Sequence, residues 1–182
     1  VGAASSNNEV RVVKDGGELP VESIGEIAVR GPGVMRGYYR QPQETERLTD
    51  AEGFFLTGDM GTVDEDGFVQ LLGRDDEVIL RAGFKIYPRS VEDRLLTHPA
   101  VDEAVVVGLR DPSLGEATCA CVIPVEGAML TPDEIRDWCG QTLSPDKVPD
   151  HVRFVDAFPR ALTGRVRRGE LIRSLGAEAA AT

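Results

Sequence analysis

The hydrophobic pattern of the sequence changes character at Gly73–Glu77, and this change limits the fold more than any other feature. Before it, short apolar segments are separated by glycine-containing turns, and Lys14–Gly17 and Asp64–Gly67 have the composition of hairpin turns. Helical periodicity is not sustained there, apart from one candidate turn of helix at 44–48. The first part of the chain is therefore predicted to consist of β-strands.

Helices and strands alternate in the second part. A helix is predicted over 88–98, because a proline is tolerated in its first turn and Val91 and Leu95 fall on one face. A further helix follows Thr131, which can form a capping box with Glu134. The remaining predicted elements are strands at 77–81, 85–86, 104–109, 118–125 and 152–155 and a helix at 169–175. The order is close to ββαββαβα, which is typical of an α+β domain.

Size and charge indicate a globular protein and exclude one class of partner. The chain has 182 residues, of which 41% are hydrophobic, so it can bury a core. Its net charge of −11 repels phosphate backbones, and nucleic acid is not an expected partner. The charge is uneven, however, because five arginines and two glutamates lie between Ala157 and Thr182. This basic stretch is either a solvated surface or a surface that meets a polyphosphate.

The cysteines and the apolar segments indicate the compartment. Cys119 and Cys121 lie two apart on an apolar run and no CxxC occurs, so buried free thiols are expected here and not zinc ligands. No run of about 18 apolar residues would span a membrane. No signal peptide opens the sequence, and we expect a cytoplasmic protein.

Two short motifs of the first part carry polar residues that suit a nucleotide. Thr57-Gly58-Asp59 lies between predicted strands, where an Asp after a glycine can hold the hydroxyls of a sugar or can simply form a turn. Arg74 stands beside Asp75-Asp76-Glu77. It either contacts a nucleotide next to a pivot between domains, or belongs to an exposed turn whose charges neutralise one another.

Two glycine turns of the second part suit the approach of a ligand. Ala82-Gly83-Phe84 requires glycine for a positive φ or for close contact with a ligand, and a plain β-turn is an alternative. Thr163-Gly164-Arg165 combines a flexible loop with a cation, which suits a phosphate contact or an exposed loop without function. Catalytic triads, dinucleotide glycine motifs and phosphate-loop motifs are absent from the sequence. These residues alone leave the reaction undecided.

Taken in order, the motifs resemble the adenylate-forming superfamily, which includes acyl-CoA synthetases, luciferases and the adenylation domains of peptide synthetases. The matching stretches are 25–32, 37–45, 57–59, 73–92, 98–116 and 147–164. Ile86-Tyr87-Pro88 is more similar to acyl-CoA synthetases than to peptide-synthetase domains. The resemblance implies an α+β architecture. Residues 1–74 would be a small β-rich, distorted barrel-like subdomain of the large adenylation domain, and residues 75–182 a mobile lid with a three-stranded antiparallel sheet and flanking helices.

The resemblance also implies an ATP-dependent acid–thiol ligase, of a kind used in fatty acid metabolism. A carboxylic acid and ATP, with Mg²⁺, give an acyl-adenylate and pyrophosphate, and coenzyme A or a carrier's phosphopantetheine then displaces AMP. Asp59 would hold the ribose hydroxyls, with Thr57 in the same cofactor-binding motif. Arg74 would lie near the ribose, and Asp76 would be the hinge. Gly83 would leave room for the thiol arm, and no residue is assigned to a metal.

Two departures from the family pattern matter. The position of the family's catalytic Lys is occupied by Arg165, which follows Gly164. Arginine keeps the charge but is a planar, broader group, so we expect weakened adenylation with thioester formation less affected. The phosphate loop, the acid pocket and the rest of the N-terminal adenylation region would lie upstream of Val1, so the chain is expected to be inactive alone.

Three functions remain in competition at this point. The leading one is the C-terminal portion of an acyl-CoA synthetase. The second is a non-catalytic binding or docking module, which Arg165 and the absent upstream region favour. The third is an acyl-adenylate ligase that loads a carrier protein. Titration with AMP, CoA and a carrier protein would separate them, whereas the identity of the acid is not encoded in these residues.

Overall fold

The chain folds into two compact units, Val1–Asp76 and Glu77–Thr182. The computed structural model describes residues 2–179, and the side chains through residue 176. The division between the units falls in the acidic turn that follows Arg74, close to the point where the sequence changes its pattern. Strands dominate the first unit and strands alternate with helices in the second, which confirms the α+β class.

The first unit is a six-stranded antiparallel sheet with one short helix. Its elements are β1 (Gly2–Ala3), β2 (Glu9–Lys14), β3 (Gly17–Glu18), β4 (Gly25–Arg30), α1 (Pro42–Arg47), β5 (Phe55–Val63) and β6 (Phe68–Arg74). The sheet order is β1-β6-β5-β4-β2-β3, with β1 and β3 at its two edges. The strand pairing is therefore that of an open sheet, whereas the resemblance implies a distorted barrel-like one. Both predicted hairpins are confirmed, because β2 pairs with β3 and β5 with β6.

The hairpin between β5 and β6 shows how local chemistry sets this sheet. The carboxylate of Asp64 accepts hydrogen bonds from the backbone N–H groups of Asp66 and Phe68, at 3.0 and 2.8 Å. Gly67 has φ of +80°, a conformation that residues with a Cβ rarely adopt. The Asp and Gly of the turn therefore fix the register in which Val63 pairs with Val69.

The second unit follows the predicted order ββαββαβα. Its elements are β7 (Ile79–Arg81), β8 (Phe84–Ile86), α2 (Pro88–Leu95), β9 (Val101–Asp111), β10 (Gly115–Pro124), α3 (Pro132–Gly140), β11 (His151–Phe154) and α4 (Arg168–Ala179). The sheet has five strands and not the three implied by the resemblance. The short hairpin β7–β8 joins β10 through the single pair Gly115–Arg81, and β11 adds parallel to β10.

Strand β10 is buried on both faces, because helices cover both sides of its sheet. Ala120 and Val122 belong to the core cluster under α2 and α3, whereas Cys119 and Cys121 belong to the cluster under α4. This alternation is the period of two that a strand imposes on its side chains. All three cysteines are buried free thiols, as predicted, and burial raises the pKa of Cys139 to about 11.

The helices begin and pack as their sequences predict. Thr131 and Glu134 form the predicted capping box at the start of α3. Val91 and Leu95 of α2 are fully buried on one face. Within residues 2–179, no helix combines the length and the apolar character needed to cross a membrane.

Candidate functional site

Thr57-Gly58-Asp59 lies inside strand β5, where the sequence predicted a loop between strands. Glu26 of β4 pairs with Met60 and Ala28 pairs with Leu56, so the three residues of the motif lie opposite a single residue of β4. The motif is therefore a bulge, which adds residues to one strand without ending it. Gly58 permits the bulge because its φ is +73°.

Hydrogen bonds from the motif to acceptors on β4 hold this bulge in place. The hydroxyl of Thr57 donates to the carbonyl of Ile27 at 2.7 Å and accepts from the N–H of Asp59 at 3.1 Å. The N–H of Gly58 donates to the carboxylate of Glu26 at 2.8 Å. Thr57 therefore positions the backbone of the motif, and its neighbour Asp59 carries the carboxylate at the surface.

Arg74 joins this motif from the neighbouring strand. It pairs with Asp59 in the β5–β6 register, and its Nη1 donates to Asp59 Oδ1 at 3.4 Å. Its Nε donates to Asp76 Oδ1 at 3.0 Å. The guanidinium crosses Gly58, where a Cβ would lie 2.9 Å from Nη2. The structure thus brings Asp59, Arg74 and Asp76 together, and the side chains of the first pair are 38% and 36% exposed.

Gly83 lies at the tip of the β7–β8 hairpin in the second unit. Ala82 and Gly83 have φ values of +48° and +86°, and they connect the paired residues Arg81 and Phe84. Two consecutive positive φ values define the tight turn that suits a twisted hairpin. Among residues 2–179, apart from its two neighbours in the chain, no atom lies within 4 Å of the place a Cβ on Gly83 would take. The turn is therefore tight and its backbone is also accessible.

An ion pair that the sequence motifs did not reveal anchors this hairpin. The Arg81 guanidinium donates to both carboxylate oxygens of Asp150, at 2.8 and 2.6 Å, and Asp150 also accepts from the N–H of Thr118 at 2.8 Å. Burial raises the pKa of Asp150, but these hydrogen bonds and the positive charge of Arg81 together outweigh burial and hold the pKa below its ordinary value of 3.8. The partners lie 69 residues apart, so no local pattern in the sequence links them.

Arg165 lies at the end of a tight turn in the basic stretch. The N–H of Ala161 donates to the carbonyl of Arg165 at 2.8 Å, and Gly164 within the turn has φ of +83°. The Arg165 side chain is 63% exposed, and its Nη2 donates to Glu77 Oε1 at 3.0 Å. No motif of the sequence distinguished Glu77 from the other acids of its turn.

Glu77 is the outer member of a charged network within the second unit. Its Oε2 lies 3.1 Å from Arg168 Nε, and Arg168 in turn donates to Glu92 at 2.8 Å and to the carbonyl of Val106 at 2.7 Å. The N–H of Val106 donates to the same Glu92 oxygen at 2.7 Å. The Glu92–Arg168 pair thus satisfies the backbone of strand β9 as a neighbouring strand would.

The candidate residues do not form a metal centre. Among residues 2–179, no group of three or more His, Cys, Asp or Glu side chains is placed to hold a metal ion. The acidic residues Asp59 and Asp76 are instead hydrogen-bonded to Arg74.

Comparison with known proteins identifies the family. Residues 90–165 match the AMP-binding enzyme C-terminal domain. The medium-chain acyl-CoA ligase ACSF2, mitochondrial, of Homo sapiens is 36% identical over 173 residues, which cover 94% of this chain and 28% of the ligase. The chain belongs to the adenylate-forming (ANL) superfamily and corresponds to a C-terminal portion of its members, as the sequence motifs predict.

Solved structures share this fold, among them those of MatB and McbA. ATP-bound MatB from Rhodopseudomonas palustris has a TM-score of 0.86 and 36% identity, and the match covers 96% of this chain and 35% of MatB. The amide bond synthetase McbA from Marinactinospora thermotolerans has a TM-score of 0.88 and 37% identity, and the match covers 96% of this chain and 36% of McbA. The chain thus spans well under half the length of the relatives it matches.

Proposed function

We propose that this chain supplies the AMP-contacting edge and the mobile lid of an ATP-dependent acid–thiol ligase. The pairing of Asp59 with Arg74 carries the proposal, because it puts a partly exposed carboxylate beside a partly exposed guanidinium. The carboxylate suits the hydroxyls of a ribose, and the cation suits the negative charge of a nucleotide. The similarity to a MatB structure that holds ATP supports this choice of ligand.

The proposed reaction has two steps that need different groups. In the first, a carboxylate oxygen of the acid bonds to the α-phosphorus of ATP, and the bond from that phosphorus to pyrophosphate breaks. In the second, the thiol loses its proton to solvent, its sulfur bonds to the acyl carbon, and the bond from that carbon to the AMP oxygen breaks. Asp59 and Arg74 would orient the nucleotide in both steps.

The second unit would serve the two steps with different turns. Arg165 would stabilise the negative charge on the acid and the α-phosphate in the first step. Gly83 would admit the thiol arm in the second step, since no other part of the described chain lies within 4 Å of its missing side chain. Rotation at Asp76, in the turn between the units, would exchange one turn for the other.

CoA is the proposed acceptor, and one observation favours a different acceptor. The similarity to McbA, an amide bond synthetase, makes an amine the second candidate. Both acceptors would approach the bare backbone of Gly83. A carrier-bound phosphopantetheine would do so too, and the acceptor test therefore includes all three.

The experiment joins this chain to the part of MatB that precedes the matched region, which gives a joined ligase. Acid-dependent pyrophosphate release reports adenylation, and transfer from a preformed acyl-adenylate to CoA, an amine or a carrier reports the second step. We expect Asp59→Asn to reduce pyrophosphate release about tenfold or more, because a charged hydrogen-bond acceptor for the ribose is lost. Asp66→Asn, in the exposed hairpin turn, is the matched control. Equal pyrophosphate release by Asp59→Asn and the parent would contradict the proposal. A joined ligase that releases no pyrophosphate, when MatB does so under the same conditions, would also contradict it.

Arg165→Lys in the joined ligase tests the family departure. We expect it to raise acid-dependent pyrophosphate release roughly tenfold, because the compact ammonium fits the geometry of the family's site. Thioester formation from a preformed acyl-adenylate should change less. Arg167→Lys, whose guanidinium lies 2.8 Å from Glu170, is the control. No gain with Arg165→Lys would favour the non-catalytic docking module instead.

A further inference from the structure

We propose that Glu77 is a positioning residue that competes with the nucleotide for Arg165. The inference rests on the proposed function, since it assigns Arg165 to the adenylation step. Glu77 is the first residue of the second unit, directly after the proposed hinge Asp76. It determines where the Arg165 guanidinium lies when no anion of a substrate holds it.

The two partners of this contact differ in how firmly each is held. Arg165 Nη2 lies 3.0 Å from Glu77 Oε1, and the Arg165 side chain is 63% exposed whereas that of Glu77 is 21% exposed. The other carboxylate oxygen of Glu77 lies 3.1 Å from Arg168 Nε. Glu77 is therefore the fixed partner, and Arg165 is the partner that can leave.

The inner part of the network explains why Arg165 can leave at little cost. Arg168 and Glu92 are 22% and 14% exposed and lie 2.8 Å apart, and both also bond the backbone of Val106. When Arg165 moves away, Glu77 keeps Arg168 as a partner, so no buried charge is left unpaired. The outer contact is an exposed ion pair, which is weak and is screened by salt.

This arrangement gives Glu77 different effects on the two proposed steps. In adenylation, the phosphates and the acid must draw Arg165 away from Glu77, so the carboxylate raises the ATP concentration that is needed. Thioester formation does not require Arg165 to leave Glu77. The contact therefore does not slow that step. The residue should therefore change the KM for ATP in the first step and leave the second step unchanged.

Glu77→Gln tests this in two independent measurements, and Glu170→Gln is the matched control. Glu170 lies 2.8 Å from Arg167, which is two residues from Arg165, so the control removes an equal charge from a neighbouring pair. In the 182-residue chain, modification by phenylglyoxal with peptide mapping measures the reactivity of each guanidinium. We expect Glu77→Gln to raise the modification rate of Arg165 about threefold and to leave Arg167 unchanged, and Glu170→Gln to do the reverse.

In the joined ligase, Glu77→Gln should lower the KM for ATP in acid-dependent pyrophosphate release about threefold. The difference from the parent should disappear in about 0.5 M salt, since the ion pair is then screened. Thioester formation from a preformed acyl-adenylate should not change, and Glu77→Asp, which keeps the charge, should restore the parent KM in part.

The outcomes separate this inference from the proposed function. If the parent joined ligase is active and Glu77→Gln has the same KM for ATP, the positioning role is overturned and the proposed function stands. If phenylglyoxal modifies Arg165 equally fast in the parent and in Glu77→Gln, the contact itself is refuted. If the parent releases no pyrophosphate, the proposed function fails and the positioning role fails with it.

Discussion

The two units present their candidate residues in opposite ways. In the first, Asp59 and Arg74 face each other across paired strands, and hydrogen bonds to acceptors on β4 hold the bulge that carries Asp59. In the second, Gly83 and Gly164 lie in turns where an added Cβ would meet nothing within 4 Å. The first unit therefore offers fixed charged side chains, and the second offers accessible backbone and the exposed cation of Arg165.

The hydrophobic cores of the two units also differ in size. The first has a small cluster of Val13, Ala28 and Phe54, and the centre of the Phe54 ring lies 3.8 Å from the guanidinium carbon of Arg11 and 4.3 Å from that of Arg30. The second has apolar clusters on both faces of one sheet, covered by helices. A close-packed core of that kind keeps its shape while surface turns change. The two candidate turns, at Gly83 and Gly164, are thus carried by the unit with the larger core.

The largest expected effect tests whether this core supports the second unit. Ile135 of α3 is fully buried, and Ile135→Ala should reduce the free energy of unfolding by about 2–5 kcal/mol through lost burial and a residual cavity. Ile172→Ala in α4, where the side chain is 37% exposed, should cost under about 1 kcal/mol. Urea titration followed by the fluorescence of Trp138, the single tryptophan, reports this unit. Equal losses in the two variants would show that the buried core does not carry the stability of this unit.

A second, smaller effect distinguishes Gly58, where an added side chain would meet Arg74, from Gly164, where it would project into solvent. Gly58 and Gly164 have φ values of +73° and +83°, so alanine at either should cost about 1–2 kcal/mol of stability. Only at Gly58 would the new Cβ meet a neighbour, Arg74 Nη2 at 2.9 Å. Because that atom ends a flexible side chain, it moves, and the guanidinium leaves Asp59.

Nucleotide affinity then distinguishes the two glycine variants. In the joined ligase, Gly58→Ala should weaken AMP binding roughly tenfold, and Gly164→Ala should leave it unchanged. Calorimetric titration with AMP measures both, at matched stability. If AMP binds equally to both variants, Arg74 is not positioned for the nucleotide.

Local chemistry made much of this fold predictable. The turns Lys14–Gly17 and Asp64–Gly67 contain their own Asp and Gly residues, and the capping box of Thr131 and Glu134 closes within one turn of helix. The pair Val91 and Leu95 marks the buried face of α2 by its spacing alone. These features depend on residues close in sequence, so they could be predicted without knowing which distant residues they contact.

The features that sequence reasoning missed all depend on distant partners. Thr57-Gly58-Asp59 is a bulge and not a loop because β4 continues to pair on both sides of it. The sheet of the second unit has five strands because β11 adds along β10 and the hairpin β7–β8 joins its other end, which no local pattern indicates. The contact between Arg165 and Glu77 joins residues 88 apart. The motif order identified the family, but the pairing of charges required the fold.

The smallest expected effect concerns the ion pair between Arg81 and Asp150, which anchors the Gly83 hairpin. Here the second unit uses a charged contact, as the first unit does between Asp59 and Arg74. Burial raises the pKa of Asp150, and the hydrogen bonds from Arg81 and Thr118 together with the charge of Arg81 lower it by more, so its folded value lies below the ordinary 3.8. A lowered folded pKa gives stability that is present above the unfolded pKa and is lost as the pH falls through the folded pKa.

Asp150→Asn should therefore cost about 1 kcal/mol near pH 6, through the lost charged hydrogen bonds, and the difference from the parent should shrink as the pH falls below about 4. Urea titrations at several pH values, followed by Trp138 fluorescence, measure this difference, with the exposed Asp137→Asn as control. A difference that stays constant down to about pH 3 would show that the carboxylate gives the hairpin no charge-dependent support. The turn at Gly83 would then depend on its backbone geometry alone. The first unit would rely on charged side chains and the second on backbone turns.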